Sequence, residues 1–291
     1  MLKLFITIII LTTLLSSLAA GQDTYRADIA KWRAKHEADL KADSGWLTVV
    51  GLYWLKEGVN TVGVGPGFDV ELTDSFKGGK FGEIVLSKDG KAGLTVADGV
   101  KAKLNSKEIR IAELSSNGEP PIVTFGSQSF FLIKRGDRYA IRLRDTESKY
   151  RRSFTRLKWF PVDPRARVVA TLEKYAEPKN VLIPNVLGGT FDMKAPGLLR
   201  FTLDGRELTL EPVDEDGHLF IIFRDQSSRT ETYGSGRFLY ADVGPEGKVV
   251  LDFNFAENPP CAYSAFATCP LPPRQNRLPV SIRAGEKRYI K

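Results

Sequence analysis

Polar residues of the types that bind or convert ligands are concentrated in the carboxyl-terminal third of the chain. The candidate ligand-binding residues are Asp225, Tyr233, Arg237, Asp252, Asn254 and Asn258. Two carboxylates can supply a general acid and a general base, and an arginine can stabilise negative charge on a substrate. Asp252 and Asn254 are two positions apart, so both side chains would point to one face of a strand. We expect these residues to converge on one patch if the strands that carry them are neighbours.

Three functions are open for this patch. The absence of common catalytic motifs favours a non-catalytic β-protein that binds a small or polymeric ligand near Asp225 and Asp252, with a carbohydrate as one candidate. The first alternative is a hydrolase in which Asp225 or Asp252 acts as acid or base and Arg237 stabilises charge. An open cleft between the carboxylates would favour it, whereas burial of both beside an arginine would argue against it. The second alternative is a structural envelope protein, in which the cluster only ties loops together.

Several catalytic classes lack their motifs in this sequence. There is no Gly-x-Ser-x-Gly elbow, Ser-x-x-Lys, P-loop or dinucleotide-binding glycine pattern. Only two histidines and two cysteines occur, which is too few for the usual zinc or iron–sulfur centres. His36 is expected to pack in the core and His218 to lie in a solvated turn. We therefore expect no cofactor and no metal site, and leave open whether the protein is an enzyme.

The amino terminus has the pattern of a secretory signal peptide, residues 1–21. Lys3 precedes an apolar run over residues 4–18, and small residues follow, with cleavage expected between Ala19 and Gln22. The run is short for a transmembrane helix, although an uncleaved anchor is the alternative interpretation. The prediction is an exported protein, periplasmic or secreted, with no transmembrane segment after cleavage.

The net charge of +7 does not by itself indicate a nucleic-acid-binding protein. Basic residues are spread along the chain and alternate with 35 acids, and the densest basic patch, residues 149–158, is typical of a solvated face. We expect a small-molecule or carbohydrate partner and no nucleic acid. The oligomeric state is open.

Cys261 and Cys269 are the only cysteines and are eight positions apart. In an oxidising compartment such a pair forms a disulfide, and closing this short loop would contribute about 2.6 kcal/mol on the chain-entropy model. A redox or nucleophilic thiol is the alternative, but no Cys-x-x-Cys motif is present. The prediction is a disulfide that pins a proline-rich carboxyl-terminal loop.

One amphipathic helix is predicted near the amino terminus, within residues 22–44. Apolar and aromatic residues recur at helical spacing over residues 23–41, and Asp23 is the expected N-cap. After residue 45 the pattern consists of short apolar segments and glycine-containing turns such as Asp89-Gly90, Gly136-Asp137 and Asp204-Gly205. The last predicted strand covers residues 248–255.

This pattern predicts a mainly β fold. The expected architecture is two packed β-sandwich or barrel-like lobes, residues 45–155 and 156–291, preceded by the amino-terminal helix. The proline-rich loop with its two cysteines belongs to the second lobe.

Six segments form a distinctive set of motifs, namely Gly51-Leu52-Tyr53-Trp54-Leu55-Lys56-Glu57-Gly58, Phe160-Pro161-Val162-Asp163, Gly236-Arg237-Phe238-Leu239, Leu251-Asp252-Phe253-Asn254, Asn258-Pro259-Pro260-Cys261-Ala262-Tyr263 and Cys269-Pro270-Leu271-Pro272-Pro273. This set resembles the bacterial protein family known as domain of unknown function 1684. The resemblance implies an exported protein and supplies no reaction. A fainter likeness concerns Leu55-Lys56-Glu57-Gly58, Val62-Gly63 and Val70-Glu71-Leu72, which are similar to the opening of a forkhead-associated sandwich. It implies a fold for the first lobe and no phosphopeptide binding.

Overall fold

A computed structural model describes residues 21–290 in full and gives residues 2–20 only as the first part of a helix. The predicted signal peptide, residues 1–21, lies outside the fully described residues except for Gly21, so the cleavage site stays a prediction. Within residues 21–290 no helical segment is long and apolar enough to cross a membrane.

The amino-terminal helix, α1, runs over Leu2–Lys41. Its predicted end is confirmed, but the predicted N-cap is wrong, because the helix continues through Asp23 without interruption. Ile29 and Leu40 on its apolar stripe are buried. Trp32 packs edge-on against Trp159 and Phe255, so the helix lies against the second half of the chain.

The first lobe is a β-sandwich of two sheets. The six-stranded sheet contains, in spatial order, β1 (Val49–Trp54), β11 (Arg138–Asp145), β10 (Gln128–Arg135), β9 (Val123–Phe125), β6 (Ala102–Leu104) and β7 (Lys107–Ile109). The five-stranded sheet contains β3 (Val70–Leu72), β2 (Gly58–Val64), β4 (Lys80–Leu86), β5 (Ala92–Val96) and β8 (Ile111–Leu114). One apolar core, which includes Phe81, Ile84 and Phe130, joins the inner faces of both sheets. The outer face of the six-stranded sheet is therefore free to meet another part of the molecule.

The second lobe contains two further sheets. The four-stranded sheet has the order β14 (Arg206–Leu210), β13 (Thr190–Leu203), β12 (Arg167–Pro184) and β18 (Lys248–Asp252). The three-stranded sheet has the order β15 (Val213–Glu215), β16 (His218–Phe223) and β17 (Arg237–Ala241). A second core, which includes Phe201, Phe223 and Phe253, joins them. A short helix, α2 (Lys149–Ser153), lies in the connection between the lobes.

The strands β12 and β13 form a long hairpin whose tip contacts the proline-rich loop. Asn185 forms a β-bridge with Pro270, and Leu271 N donates to Pro184 O at 2.7 Å. Val186 N donates to Cys269 O at 3.1 Å. The loop is therefore held by backbone hydrogen bonds to the hairpin.

The mainly β fold and the three predicted turns are confirmed. Asp204 and Gly205 both have positive φ, 49° and 73°, as a two-residue type I′ turn requires. The predicted strand over residues 248–255 is too long. It ends at Asp252, whose side chain accepts a hydrogen bond from Asn254 N and starts a 3₁₀ turn over Phe253–Phe255. The division into lobes at residue 155 and the likeness to a forkhead-associated sandwich stay predictions.

Candidate functional site

The six predicted site residues do not meet in one patch. They lie in separate clusters, because β17 pairs with β16 in one sheet and β18 pairs with β12 in another. Each cluster consists of hydrogen bonds between distant parts of the chain.

The first cluster is the ion pair of Asp225 and Arg237. Arg237 Nη2 donates to Asp225 Oδ2 at 2.6 Å and to Ile282 O at 2.9 Å, and Nη1 donates to Ala284 O. Asp225 also accepts from Ser227 N at 2.6 Å. Only 1% of Arg237 is exposed. The pair is therefore enclosed and joins the strand β17 to the carboxyl-terminal segment.

The approach of Arg237 depends on the glycine before it. Gly236 has a φ of 105°, and a Cβ there would lie 2.4 Å from Pro272 and 2.6 Å from the carbonyl oxygen of Phe223. A side chain at this position would displace the proline-rich loop or the end of β16.

The second cluster joins Asp252 and Asn254 to the amino-terminal helix. Asp252 Oδ2 accepts from Tyr25 Oη at 2.8 Å, and Oδ1 accepts from Asn254 N and Nδ2 at 3.0 and 2.9 Å. The side-chain amide of Asn254 also accepts a hydrogen bond from Asp163 N at 2.9 Å and donates one to Asp163 O at 2.8 Å. Asp252 lines one side of an open depression that also contains Arg167 and Phe255. Both of its oxygens are engaged by the protein.

The third cluster surrounds Glu286, which is completely buried. Asn258 N and Nδ2 donate to its two oxygens at 2.9 and 2.6 Å, and Tyr263 Oη donates at 2.6 Å. His36 Nδ1 lies 3.1 Å from Glu257 Oε2, and its Nε2 lies 3.6 Å from Glu286 Oε2. Burial alone would lower the pKa of His36, but the contacts with Glu257 and Glu286 outweigh it and raise the pKa to about 9. The sequence did not indicate this histidine as an ionic group.

Tyr233 lies apart from the other predicted residues. Its hydroxyl donates to Cys261 O at 3.1 Å, and burial, with Cys261 nearby, raises its pKa to about 12. It supports the loop that carries the two cysteines.

A further candidate site is a pocket between the two lobes, with a volume of about 510 Å³. The first lobe contributes Trp46, Arg135 and Arg142 to its wall. The second lobe contributes three phenylalanines, the end of the proline-rich loop and one acid. These residues are Phe191, Phe220, Phe238, Cys269, Pro270 and Glu215. None of the six predicted site residues lines this pocket, although its wall includes four residues of the motif segments, Phe238, Pro260, Cys269 and Pro270.

Arg142 is the central polar group of this pocket. It lies on β11, opposite Phe131 and Leu52 of the neighbouring strands, and only 6% of it is exposed. Its guanidinium lies 5.0 Å from the ring centroid of Trp46. Within residues 21–290 it forms no ion pair, and its Nε and Nη2 have no hydrogen-bond partner. Burial, with Arg135 and Arg144 nearby, lowers its pKa to about 10.

The other polar groups of the wall do not neutralise Arg142. Glu215 is the only acid among the residues that line the pocket, and it accepts a hydrogen bond from Tyr240 at 2.7 Å. Arg135 also lines the pocket, so the wall is positively charged on the side of the first lobe. This arrangement suits an anion with an apolar body.

Cys269 lines this pocket and Cys261 lies next to it, and no disulfide joins the two in this structure. Cys261 N donates to Cys269 Sγ at 3.1 Å, and the two side chains are in hydrogen-bond contact. The hydrogen bond with Cys261, together with burial, raises the pKa of the Cys269 thiol well above its usual range. The predicted disulfide is not formed in this structure, although the two cysteines are adjacent.

The fold and the pocket define an all-β protein of two sandwich-like lobes with an arginine-lined cleft between them. Residues 152–287 match the family described as "Protein of unknown function (DUF1684)", and the chain belongs to this family. The match coincides with the second lobe. No protein of curated function matches the chain.

One solved structure is similar in sequence to part of the chain. It is the solution NMR structure of an uncharacterized protein from Haloarcula marismortui, with 33% identity over 47% of this chain and 78% of that one. The TM-score is 0.40.

Proposed function

We propose that the protein binds a small organic anion in the pocket between its lobes, without catalysis. The observation that carries this proposal is Arg142, which is 6% exposed and has two guanidinium nitrogens without a protein partner. A buried charge without a counter-charge costs several kcal/mol, and a bound anion would offset that cost.

The rest of the pocket is consistent with an organic ligand. Its volume of about 510 Å³ lies in the usual range for small-molecule sites, and five of its fifteen lining residues are aromatic. Phe220 and Phe238 pack edge-on with ring centroids 4.8 Å apart and form a continuous apolar surface. A flat apolar body beside a cationic floor is the chemistry that these groups suit.

The site near Asp225 and Asp252 is not the basis of this proposal. Asp225 forms a buried ion pair with Arg237, and both oxygens of Asp252 accept hydrogen bonds from the protein. Burial beside arginine is the arrangement that argues against a hydrolase at these carboxylates. A purely structural role would account for these clusters but would not explain why Arg142 is buried without a counter-charge.

Calorimetric titration tests the proposal. The probe is naphthalene-2-sulfonate, and its uncharged counterpart is 2-naphthamide. We expect the sulfonate to bind and the amide to bind at least about tenfold more weakly, because a charge-assisted hydrogen bond would be lost. Arg142→Met should weaken the binding of the sulfonate by a similar factor.

The matched control is Arg110→Met, which removes an exposed arginine of the same lobe that pairs with Asp98. It should leave the affinity for the sulfonate unchanged. Absence of sulfonate binding at millimolar concentration, equal binding of the amide, or no effect of Arg142→Met would overturn the proposal.

We further propose that the protein is exported and that Cys261 and Cys269 are oxidised to a disulfide after export. The leader-like composition of residues 1–21 and the contact between the two thiols support this. Mass spectrometry of the protein purified from its native cells should find a chain that begins near Gly21 and has no titratable thiol. A full-length chain with two free thiols would contradict both statements.

A further inference from the structure

Two arginines, not one, line the pocket. Arg142 lies in the middle of β11, and Arg135 lies at the end of the neighbouring strand β10. Neither forms an ion pair with any acid in the part of the chain that the structure describes. A second unneutralised cation in one cleft indicates more than one anionic group in its ligand.

Arg135 is oriented by the second lobe. Its Nε donates to Thr268 Oγ1 at 3.0 Å and its Nη1 donates to Lys134 O at 2.8 Å. Among the described residues, Nη2 has no protein partner. The guanidinium is therefore fixed in the wall and retains a free donor for a ligand.

The surface between the two arginines is apolar. The row of the sheet between them holds the buried pair Ile133 and Ala140. The pocket wall itself is apolar at Trp46, Phe220 and Phe238. A ligand that contacts both guanidinium groups must therefore cover an apolar surface with its middle part. A rigid flat body with an anion at each end has this shape.

A third arginine increases the positive potential without lining the pocket. Arg144 is two positions beyond Arg142 on the same face of β11, and its guanidinium lies 4.7 Å from the ring centroid of Phe131. Its charge, like that of Arg135, disfavours the protonated form of Arg142. In the described part of the chain none of these three arginines forms an ion pair, so their charges repel one another, and a divalent anion would relieve this repulsion more than a monovalent one.

From this arrangement we infer that the ligand of the pocket is a dianion with a flat apolar body, with one anionic group at Arg142 and the other at Arg135. This inference rests on the proposed function, because it assigns the ligand class of the same pocket. Arg135 is then the residue that distinguishes dianions from monoanions.

The experiment compares naphthalene-2,6-disulfonate with naphthalene-2-sulfonate by calorimetric titration. The wild-type protein should bind the disulfonate at least about tenfold more tightly, since the second sulfonate gains a charge-assisted contact. Arg135→Met should abolish this advantage, because the disulfonate loses a direct contact, whereas the monosulfonate loses only the attraction of a nearby charge and should weaken by a smaller factor. Arg135→Lys, which keeps the charge, should retain part of the advantage.

The matched control is Arg144→Met, which removes a neighbouring charge outside the pocket wall. It should weaken both probes modestly, the disulfonate slightly more, and should leave most of the disulfonate's advantage in place. Thermal unfolding of each variant verifies that it is folded. If Arg135→Met does not fold, the disulfonate affinity of Arg135→Lys tests the role of Arg135 instead.

The outcomes separate this inference from the proposed function. If both probes bind equally, or if the advantage of the disulfonate survives Arg135→Met and Arg135→Lys alike, the dianion inference is overturned. The proposed function still stands in that case, provided that Arg142→Met weakens the monosulfonate. If neither probe binds, both are overturned.

Discussion

Two buried arginines, Arg237 and Arg142, have opposite surroundings. Arg237 is 1% exposed and has a carboxylate and two carbonyl oxygens as partners. Arg142 is 6% exposed and has an aromatic ring, two other arginines nearby and no acid. One guanidinium is neutralised by the protein and the other is not.

This difference assigns a structural role to Arg237 and a ligand-binding role to Arg142. A buried charge whose partners all belong to the chain holds distant segments together, and removing it leaves its partners unsatisfied. A buried charge without such partners lowers the stability of the empty protein. Stability measurements can therefore distinguish the two roles. Replacing a structural arginine by methionine should lower the free energy of unfolding, whereas the same change at a ligand-binding arginine should leave it unchanged or raise it.

The largest effect is expected for Arg237→Met. The change leaves Asp225 buried without a counter-charge, so we expect a loss of about 3–5 kcal/mol in the free energy of unfolding. Urea unfolding measures it, and Asp225→Asn provides a milder variant if Arg237→Met does not fold. Arg283→Met is the control, because it removes an exposed arginine paired with Glu231 and should change stability by less than about 1 kcal/mol. If Arg237→Met and Arg283→Met lower the free energy of unfolding equally, Arg237 does not have the structural role assigned to it.

The next effect concerns His36, which joins the helix α1 to Glu257 and Glu286 on the scaffold side. Its pKa is raised from 6.5 to about 9 in the folded protein. The protonated form therefore stabilises the fold by about 3 kcal/mol, in full below pH 6.5, and this contribution is lost as the pH rises through 9.

Unfolding free energies of the wild type and His36→Gln between pH 6 and pH 10 check this prediction. The difference between the two proteins should be largest at pH 6 and should shrink toward pH 10. A difference that is constant with pH would mean that the histidine packs without titrating in this window.

The smallest change in stability is expected for Arg142→Met, and it tests most directly whether Arg142 and Arg237 have different roles. Arg142→Met replaces an unpaired buried cation by an apolar side chain of similar length, so stability in the absence of ligand should stay the same or rise by about 1 kcal/mol. Urea unfolding under the conditions used for Arg237→Met measures it. A loss of 2 kcal/mol or more would place Arg142 with Arg237 as scaffold.

The sequence predicted the strands and turns better than the site. Turns such as Asp204-Gly205 are specified locally, since two neighbouring residues must accept positive φ. The prediction of one site depends on the strands that carry the predicted site residues being neighbours. In the fold, Asp225 and Asp252 belong to different sheets and face different partners.

The pocket could not be found in this way, because its wall combines residues far apart in the chain, such as Trp46, Arg142 and Cys269. Arg142 and Arg144 alternate with apolar residues on β11, and such alternation is typical of a solvated strand face. Only the packing of the second lobe on that face buries Arg142. One signal for the pocket was present in the sequence. The face of β11 that carries Arg138, Arg142 and Arg144 has no acidic residue.

The contacts of the helix α1 have a consequence for the order of synthesis. Tyr25 hydrogen-bonds to Asp252, and His36 contacts Glu286, so the helix is completed by residues that are made much later than the helix itself. During translation its apolar stripe stays uncovered until these partners have emerged. Local hairpins can form early, whereas the docking of this helix requires contacts across more than two hundred residues. The helix is thus made well before the segments that fix it in place.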